Sequence, residues 1–205
     1  MRRLTLTALA ATLALSASPA FAYKIFVSNE KGNDITVLDS ADFAVVDTFE
    51  VGQRPRGIAV SPDGKHLYVC ASDSDTIQVY DTETYEFIRT LPSGPDPELL
   101  VVSASGDRLY AANEDDNLVT VIDLETGARL AEIPVGVEPE GMGISPDGAI
   151  IVNTSETTNM AHFIDRESHR IVANVLVDSR PRFAQYKSDG SEVWVTAEIG
   201  GTVSV

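Results

Sequence analysis

"HLYVCASDSDTIQVYD", residues 66–81, reads as two short strands around a polar turn, with β-branched and aromatic residues on either side of "SDSD". The stretch recurs without gaps: "KIFVSNEKGNDITVLD" from Lys24, "RLYAANEDDNLVTVID" from Arg108, "IIVNTSETTNMAHFID" from Ile150 and "EVWVTAEIGGTVSV" from Glu192. The starts 24, 66, 108, 150 and 192 are each 42 residues apart.

A period of 40 to 45 residues with several short strands per unit is the pattern of β-propeller blades. Each unit reads as four antiparallel strands. In one copy an inner strand (56–61) passes through "SPDG" to a second (66–71), a third (76–81) and a fourth (87–91). Gly64, Gly106, Gly148 and Gly190 occupy the first turn, where positive φ is easiest without a Cβ. Asp39, Asp81, Asp123 and Asp165 close the third strand, where a carboxylate bonds the backbone of the next turn. Strands such as "LYVC" and "LVTVID" are apolar on both sides, as suits blades packed between blades. Pro55, Pro97, Pro139 and Pro181 mark the passage to the next inner strand. The fold class is therefore an all-β propeller of four-stranded antiparallel blades.

"LYVCASDSDTIQVYD" and "LYAANEDDNLVTVID" resemble YVTN-type β-propeller repeats. "NEDDNLVTVID", "VGVEPEGM", "NTSETTNMAHFID", "DSRPRFA" and "EIGGTVSV" are similar to one exported subfamily, the β-propeller proteins associated with pyrroloquinoline-quinone-dependent catabolism. The resemblance implies seven blades, a periplasmic location and work beside quinoprotein alcohol oxidation, and it supplies no catalytic residues. Val205 aligns with Val37, Val79 and Val121 inside a third strand, so the chain is expected to form an open arc of the seven-bladed ring, with exposed strand edges.

Residues 1–22, with Arg2, Arg3, an uncharged run and Ala20-Phe21-Ala22, have the layout of a secretory signal cleaved after Ala22, leaving 23–205 as propeller. No later stretch has the roughly 20 apolar residues of a membrane span. Without Arg2 and Arg3 the chain carries 13 basic and 31 acidic residues, −18 with histidine neutral. Such a surface repels nucleic acid and anionic lipid. A single cysteine, Cys70, offers no internal disulfide and aligns with small residues, as a packed thiol.

The proline links differ in charge from unit to unit: Arg54-Pro55-Arg56, Asp96-Pro97-Glu98, Glu138-Pro139-Glu140 and Arg180-Pro181-Arg182. Two readings stand side by side. The charges pair between blades, Arg56 with Glu98 and Glu140 with Arg182. Alternatively they form a channel mouth with a basic and an acidic side, able to take a small anionic ligand, pyrroloquinoline quinone or a divalent ion. Phe183 and Gln185 replace glycines of other inner strands and are expected to narrow the channel beside such a ligand. Glu114, Asp115 and Asp116 add oxygen donors that suit Ca2+, but without the glycine and distant glutamate of a calcium loop. His66, His162 and His169 have no metal-pair spacing, and no nucleophile or haem motif occurs, so no catalytic or metal-ligating residue is assigned. The sequence thus points to a non-enzymatic binding or accessory module, with a quinoprotein dehydrogenase, a transport component or a small ligand as partner. The alternative is a propeller enzyme, a lactonase or quinoprotein dehydrogenase, acting in the central channel.

Overall fold

The computed structural model describes residues 23–205, so the expected signal segment lies outside the described residues. Five antiparallel sheets follow one another. The first holds β1 (Lys24–Asn29), β2 (Asp34–Asp39) and β3 (Val45–Glu50). The second holds β4 (Pro55–Val60), β5 (His66–Ala71), β6 (Thr76–Asp81) and β7 (Phe87–Pro92). The third holds β8 (Pro97–Val102), β9 (Arg108–Asn113), β10 (Leu118–Asp123) and β11 (Arg129–Pro134). The fourth holds β12 (Pro139–Ile144), β13 (Ile150–Ser155), β14 (Met160–Asp165) and β15 (Arg170–Leu176), and the fifth β16 (Pro181–Tyr186), β17 (Val193–Ala197) and β18 (Thr202–Ser204). These are five blades of an all-β propeller, in an arc compatible with part of a larger ring.

The core lies between blades. Ile35 and Leu67 pack in the first interface, Cys70, Ile77 and Leu109 in the second, Tyr110, Val119 and Ile151 in the third, Val152 and Val195 in the fourth. Every interior strand therefore presents apolar side chains in both directions, as the double-sided sequence pattern requires. Cys70 is wholly buried in this packing, and desolvation pushes its thiol up.

Turn chemistry repeats on the face that carries the "SPDG" turns. Gly64, Gly106, Gly148 and Gly190 have φ of 74°, 71°, 72° and 73°. Asp39, Asp81, Asp123 and Asp165 each accept backbone N–H bonds from the following turn, at 2.7–2.8 Å. Their common role is to close a hairpin.

On the opposite face a latch joins each blade to the next. The Oδ1 atoms of Asn33, Asp75, Asn117 and Asn159 accept the backbone N–H of Arg54, Asp96, Glu138 and Arg180, at 2.8, 3.1, 3.0 and 3.0 Å. Both partners of every latch are left-handed, with φ of 54–59° for the acceptors and 47–61° for the donors. The carbonyl of the same pre-proline residue accepts the N–H of Ser72, Glu114, Glu156 or Glu198 from its own blade, at 2.9–3.1 Å. Asn and Asp tolerate this backbone region and supply a short acceptor, which explains their place in the turn.

Replacing Asn117 by Ala removes an acceptor and leaves a Cβ-bearing residue at φ 58° with no local bond to offset it. We expect a loss of about 2 kcal/mol, roughly half from each effect. Asn117→Gly keeps only the hydrogen-bond loss, about 1 kcal/mol. Urea unfolding of both variants measures the difference, and equal losses would remove the backbone component.

Candidate functional site

The latch fixes where each inner strand begins, and a bulge then aims one side chain. Ladder register slips between Pro55 and Ile58, Pro97 and Leu100, Pro139 and Met142, and Pro181 and Phe183. A bulge re-aims side chains out of the regular pleat. The residues after the prolines, Arg56, Glu98, Glu140 and Arg182, leave the ladder here and meet one another. Close backbone approach accompanies the bulge: a Cβ on Gly57 would lie 2.5 Å from the Glu98 carbonyl oxygen of the next blade.

Arg56 touches Glu98, one blade on, and places Nη2 3.0 Å from Glu140 Oε1, two blades on. Arg182 binds that same Glu140 oxygen from the other side. Arg54 lies 3.0 Å from Asp96, 3.2 Å from Glu98 and 3.2 Å from Glu30. Arg180 reaches Glu156 at 2.6 Å and Glu198 at 3.4 Å, and Arg182 reaches the same two at 3.2 and 3.1 Å. The four arginines are thus engaged by carboxylates from their own and neighbouring blades. Pairing between blades, one of the two sequence readings, is present, and it extends farther than nearest neighbours.

Burial makes the lattice electrostatically stiff. Glu98 is 0% exposed and Glu140 6%. Desolvation pushes Glu98 up to about 8, with the charges of Glu140, Asp96 and Glu114 adding to it and Arg56 opposing. Glu140 is pushed up to about 7, again chiefly by burial and then by its contact with Glu156, against the pull of Arg182. Glu114 rises by burial. Glu156 is desolvated as well, yet its bond to Glu140 and the guanidiniums of Arg180 and Arg182 hold it below the usual carboxylate range. Within each carboxyl pair one proton is favoured, because two adjacent buried charges repel.

Asp96, Glu98 and Glu114 bring carboxylate oxygens within 4.8 Å of one another. Oxygen donors of this kind suit a hard cation. Arg54 and Arg56 already stand against Glu98, so a cation there would have to displace them.

The structure brings together Arg54, Arg56, Asp96, Glu98, Glu140, Arg180 and Arg182. Glu138 sits at the rim, latched through its N–H to Asn117 and accepting a bond from Thr157. Phe183 and Gln185 do not join them, which corrects the expectation that they narrow the channel. They stand one repeat after Gly141 and Gly143, where an added Cβ would strike backbone atoms of the next blade within 2.8–3.0 Å. That direction is the flat side of the blade. Trp194, paired in register with Gln185, lies on the same side and is 51% exposed. His162 is a structural residue: its Nε2 accepts the Gly136 N–H at 3.0 Å and its Nδ1 lies 2.6 Å from Asn174 Oδ1.

Sequence reasoning passed over Glu30, Glu156 and Glu198. The signal was present, since 30, 114, 156 and 198 share one repeat position, with Ser72 the exception among five blades.

A family model described as "Lactonase, 7-bladed beta-propeller" matches residues 3–86 and 58–133. Among solved structures, the chain is similar to hydrazine synthase of Kuenenia stuttgartiensis, with 30% identity and a TM-score of 0.79 over 84% of this chain and 52% of that one. It is also similar to a functionally unknown protein of Desulfotomaculum acetoxidans, with 18% identity and a TM-score of 0.76 over 88% of this chain and 64% of that one. The chain therefore spans about half the length of the first and under two thirds of the second. No curated protein matches it.

The raised carboxyls make stability fall as pH rises. Glu98 and Glu140 bind protons more tightly folded than unfolded, so their contribution is complete near pH 4 and is lost as pH passes through about 7 and 8. We expect stability to decline between pH 5 and pH 8, by up to about 1.4 kcal/mol per pH unit for each group that still holds its proton, the window set by their ordinary and shifted values. Glu140→Gln flattens that decline. Thermal melts at constant ionic strength test it, and a stability that rises over the window would contradict the assignment.

Proposed function

The chain belongs to the family of seven-bladed lactonase-type β-propellers, and we propose that this protein is a non-enzymatic binding module of the bacterial periplasm, working beside a pyrroloquinoline-quinone-dependent alcohol dehydrogenase. The observation that carries the reading is the engagement of Arg54, Arg56, Arg180 and Arg182 by carboxylates. Guanidiniums so held form a preorganised recognition face and are poorly placed to take up an anionic cofactor. The quinone therefore belongs to the partner enzyme, and the propeller recognises that enzyme. Acidic residues on the rim, including the exposed Asp115 and Asp116, suit a basic partner surface and steer its approach. The likeness of "NEDDNLVTVID" and "DSRPRFA" to propellers of quinone-dependent catabolism supports the choice of partner, and the residues 1–22 layout supports the compartment.

One observation favours a second reading, lactone hydrolysis. Glu140, pushed up to about 7, lies against Arg182, a carboxyl suited to proton transfer beside a group suited to polarising a carbonyl. The family's description points the same way.

Binding of the protein to the quinoprotein alcohol dehydrogenase of the same bacterium, measured optically at two salt concentrations, separates the readings. We expect salt-sensitive association, weakened roughly tenfold by the double change Asp115→Asn and Asp116→Asn. Calorimetry should find no tight uptake of the free quinone. Quinone binding that disappears in Arg56→Gln/Arg182→Gln would return the arginines to the role of a ligand site. Turnover of a lactone panel that is lost in Glu140→Gln would establish the enzyme instead.

A further inference from the structure

On the face opposite the mouth, a cleft of about 680 Å³ opens between the second and third blades. The repeat explains why it is there. Strand two of each early blade begins with a basic or aromatic-basic residue: Lys24, His66 and Arg108. Lys24 spans to the next blade, where Nζ donates to the Thr82 carbonyl at 2.9 Å and to Glu83 at 3.0 Å, and lies 4.9 Å from the centre of the Tyr85 ring. Arg108 spans likewise, donating to the Arg166 carbonyl at 3.1 Å. The corresponding acceptors for His66 are the Leu124 carbonyl and Glu125, one repeat after Thr82 and Glu83. The imidazole is far shorter than a lysine or arginine side chain, and a cleft stands where the long cations pass in the flanking interfaces.

Its walls are apolar below and acidic at the rim. Tyr68, Val79, Ile88 and Leu124 line the body, with Asp63, Asp107 and Glu125 around it. Hydrogen bonds from Ser61 and Lys65 hold the Asp63 carboxyl below its usual range. Asp107, desolvated but bonded by Ser105 and Ser103 and paired with Arg166, is held at about 2. The one guanidinium among the lining residues, Arg89, donates to the Leu124 carbonyl from β7, using one of that oxygen's two lone pairs. The volume is in the range of small-molecule clefts.

We infer that this cleft binds a primary alkylammonium ligand, whose nitrogen takes the position that Lys24 Nζ and the Arg108 guanidinium take in the flanking interfaces. The ammonium donates to the Leu124 carbonyl and the Glu125 carboxylate, and the alkyl body packs against Tyr68, Val79 and Ile88. The site is separate from the mouth and independent of the proposed partner.

Two-dimensional amide NMR of the protein, titrated with hexylammonium, hexanol and hexanoate, tests it. We expect saturable shifts at Ser61, Asp63, Gly106 and Glu125 with hexylammonium alone. His66→Lys brings a second cation from the chain itself to the Leu124 carbonyl and Glu125, beside Arg89, and should weaken binding at least tenfold, as should Glu125→Gln. Lys24 and Arg108 show that the fold accepts a long cation at this repeat position, and a melt of each variant verifies folding. Equal binding of hexanol, unchanged affinity in the two folded variants, shifts centred on Glu114 and Glu138 at the mouth, or no saturable shift at all would each overturn the inference.

Discussion

Each blade is latched to the next by a peptide N–H of the pre-proline residue. The left-handed pre-proline residue bonds its own blade through its carbonyl, and its N–H is received by an Asn or Asp of the preceding blade. The latches of Glu138 and Arg180 are half-buried, where an N–H left unpaired costs on the order of 1–3 kcal/mol, whereas those of Arg54 and Asp96 are exposed and compete with water. Repetition of the latch at 42-residue intervals sets the rotation from blade to blade, and the apolar interfaces fill the space this rotation leaves. Proline at the following position has no N–H to satisfy and enters the inner strand without loss.

The mouth is a consequence of the same step. Because latch, proline and bulge recur together, the residues on either side of every proline arrive at the same radius from the axis. Four arginines and the carboxylates of Asp96, Glu98, Glu140, Glu156 and their neighbours are brought together, with Glu98, Glu140 and Glu156 buried and the arginines partly in water. Burial of this kind gains little net stability when fully paired and costs several kcal/mol when one partner is lost. The arrangement defines one charge pattern at high precision, which is useful for recognition and poor for exchange of ligands. The carboxyl pairs keep a proton where separate, solvated acids would not.

Variation against the repeat is where individual chemistry enters. Arg56 and Arg182 occupy the same position as Glu98 and Glu140, and the alternation of sign lets charges from three blades meet on Glu140. His66 occupies the position of Lys24 and Arg108, and a cleft opens beside the bridge that Arg89 makes to the Leu124 carbonyl. Both departures are single side chains on an unchanged backbone, which is how a repeat scaffold acquires sites without losing its fold.

The sequence by itself determined the blade architecture, since a 42-residue period, two-sided apolar strands and turn residues at constant offsets are local properties of the chain. It also showed that the charges flanking Pro55, Pro97, Pro139 and Pro181 would share one neighbourhood, and that Arg56 and Glu98 would be adjacent. Glu30, Glu156 and Glu198 were legible at their common offset but carried no weight there, because a glutamate at a strand end is ordinary until its partners are known. Only the tertiary structure decided that Arg56 reaches two blades to Glu140, that Glu98 loses all contact with water, and that Phe183 and Gln185 turn to the flat side of their blade. Those outcomes depend on the bulge after proline and on the angle between successive blades. Neither is encoded in any one repeat, because both arise from how the backbones of two blades pack.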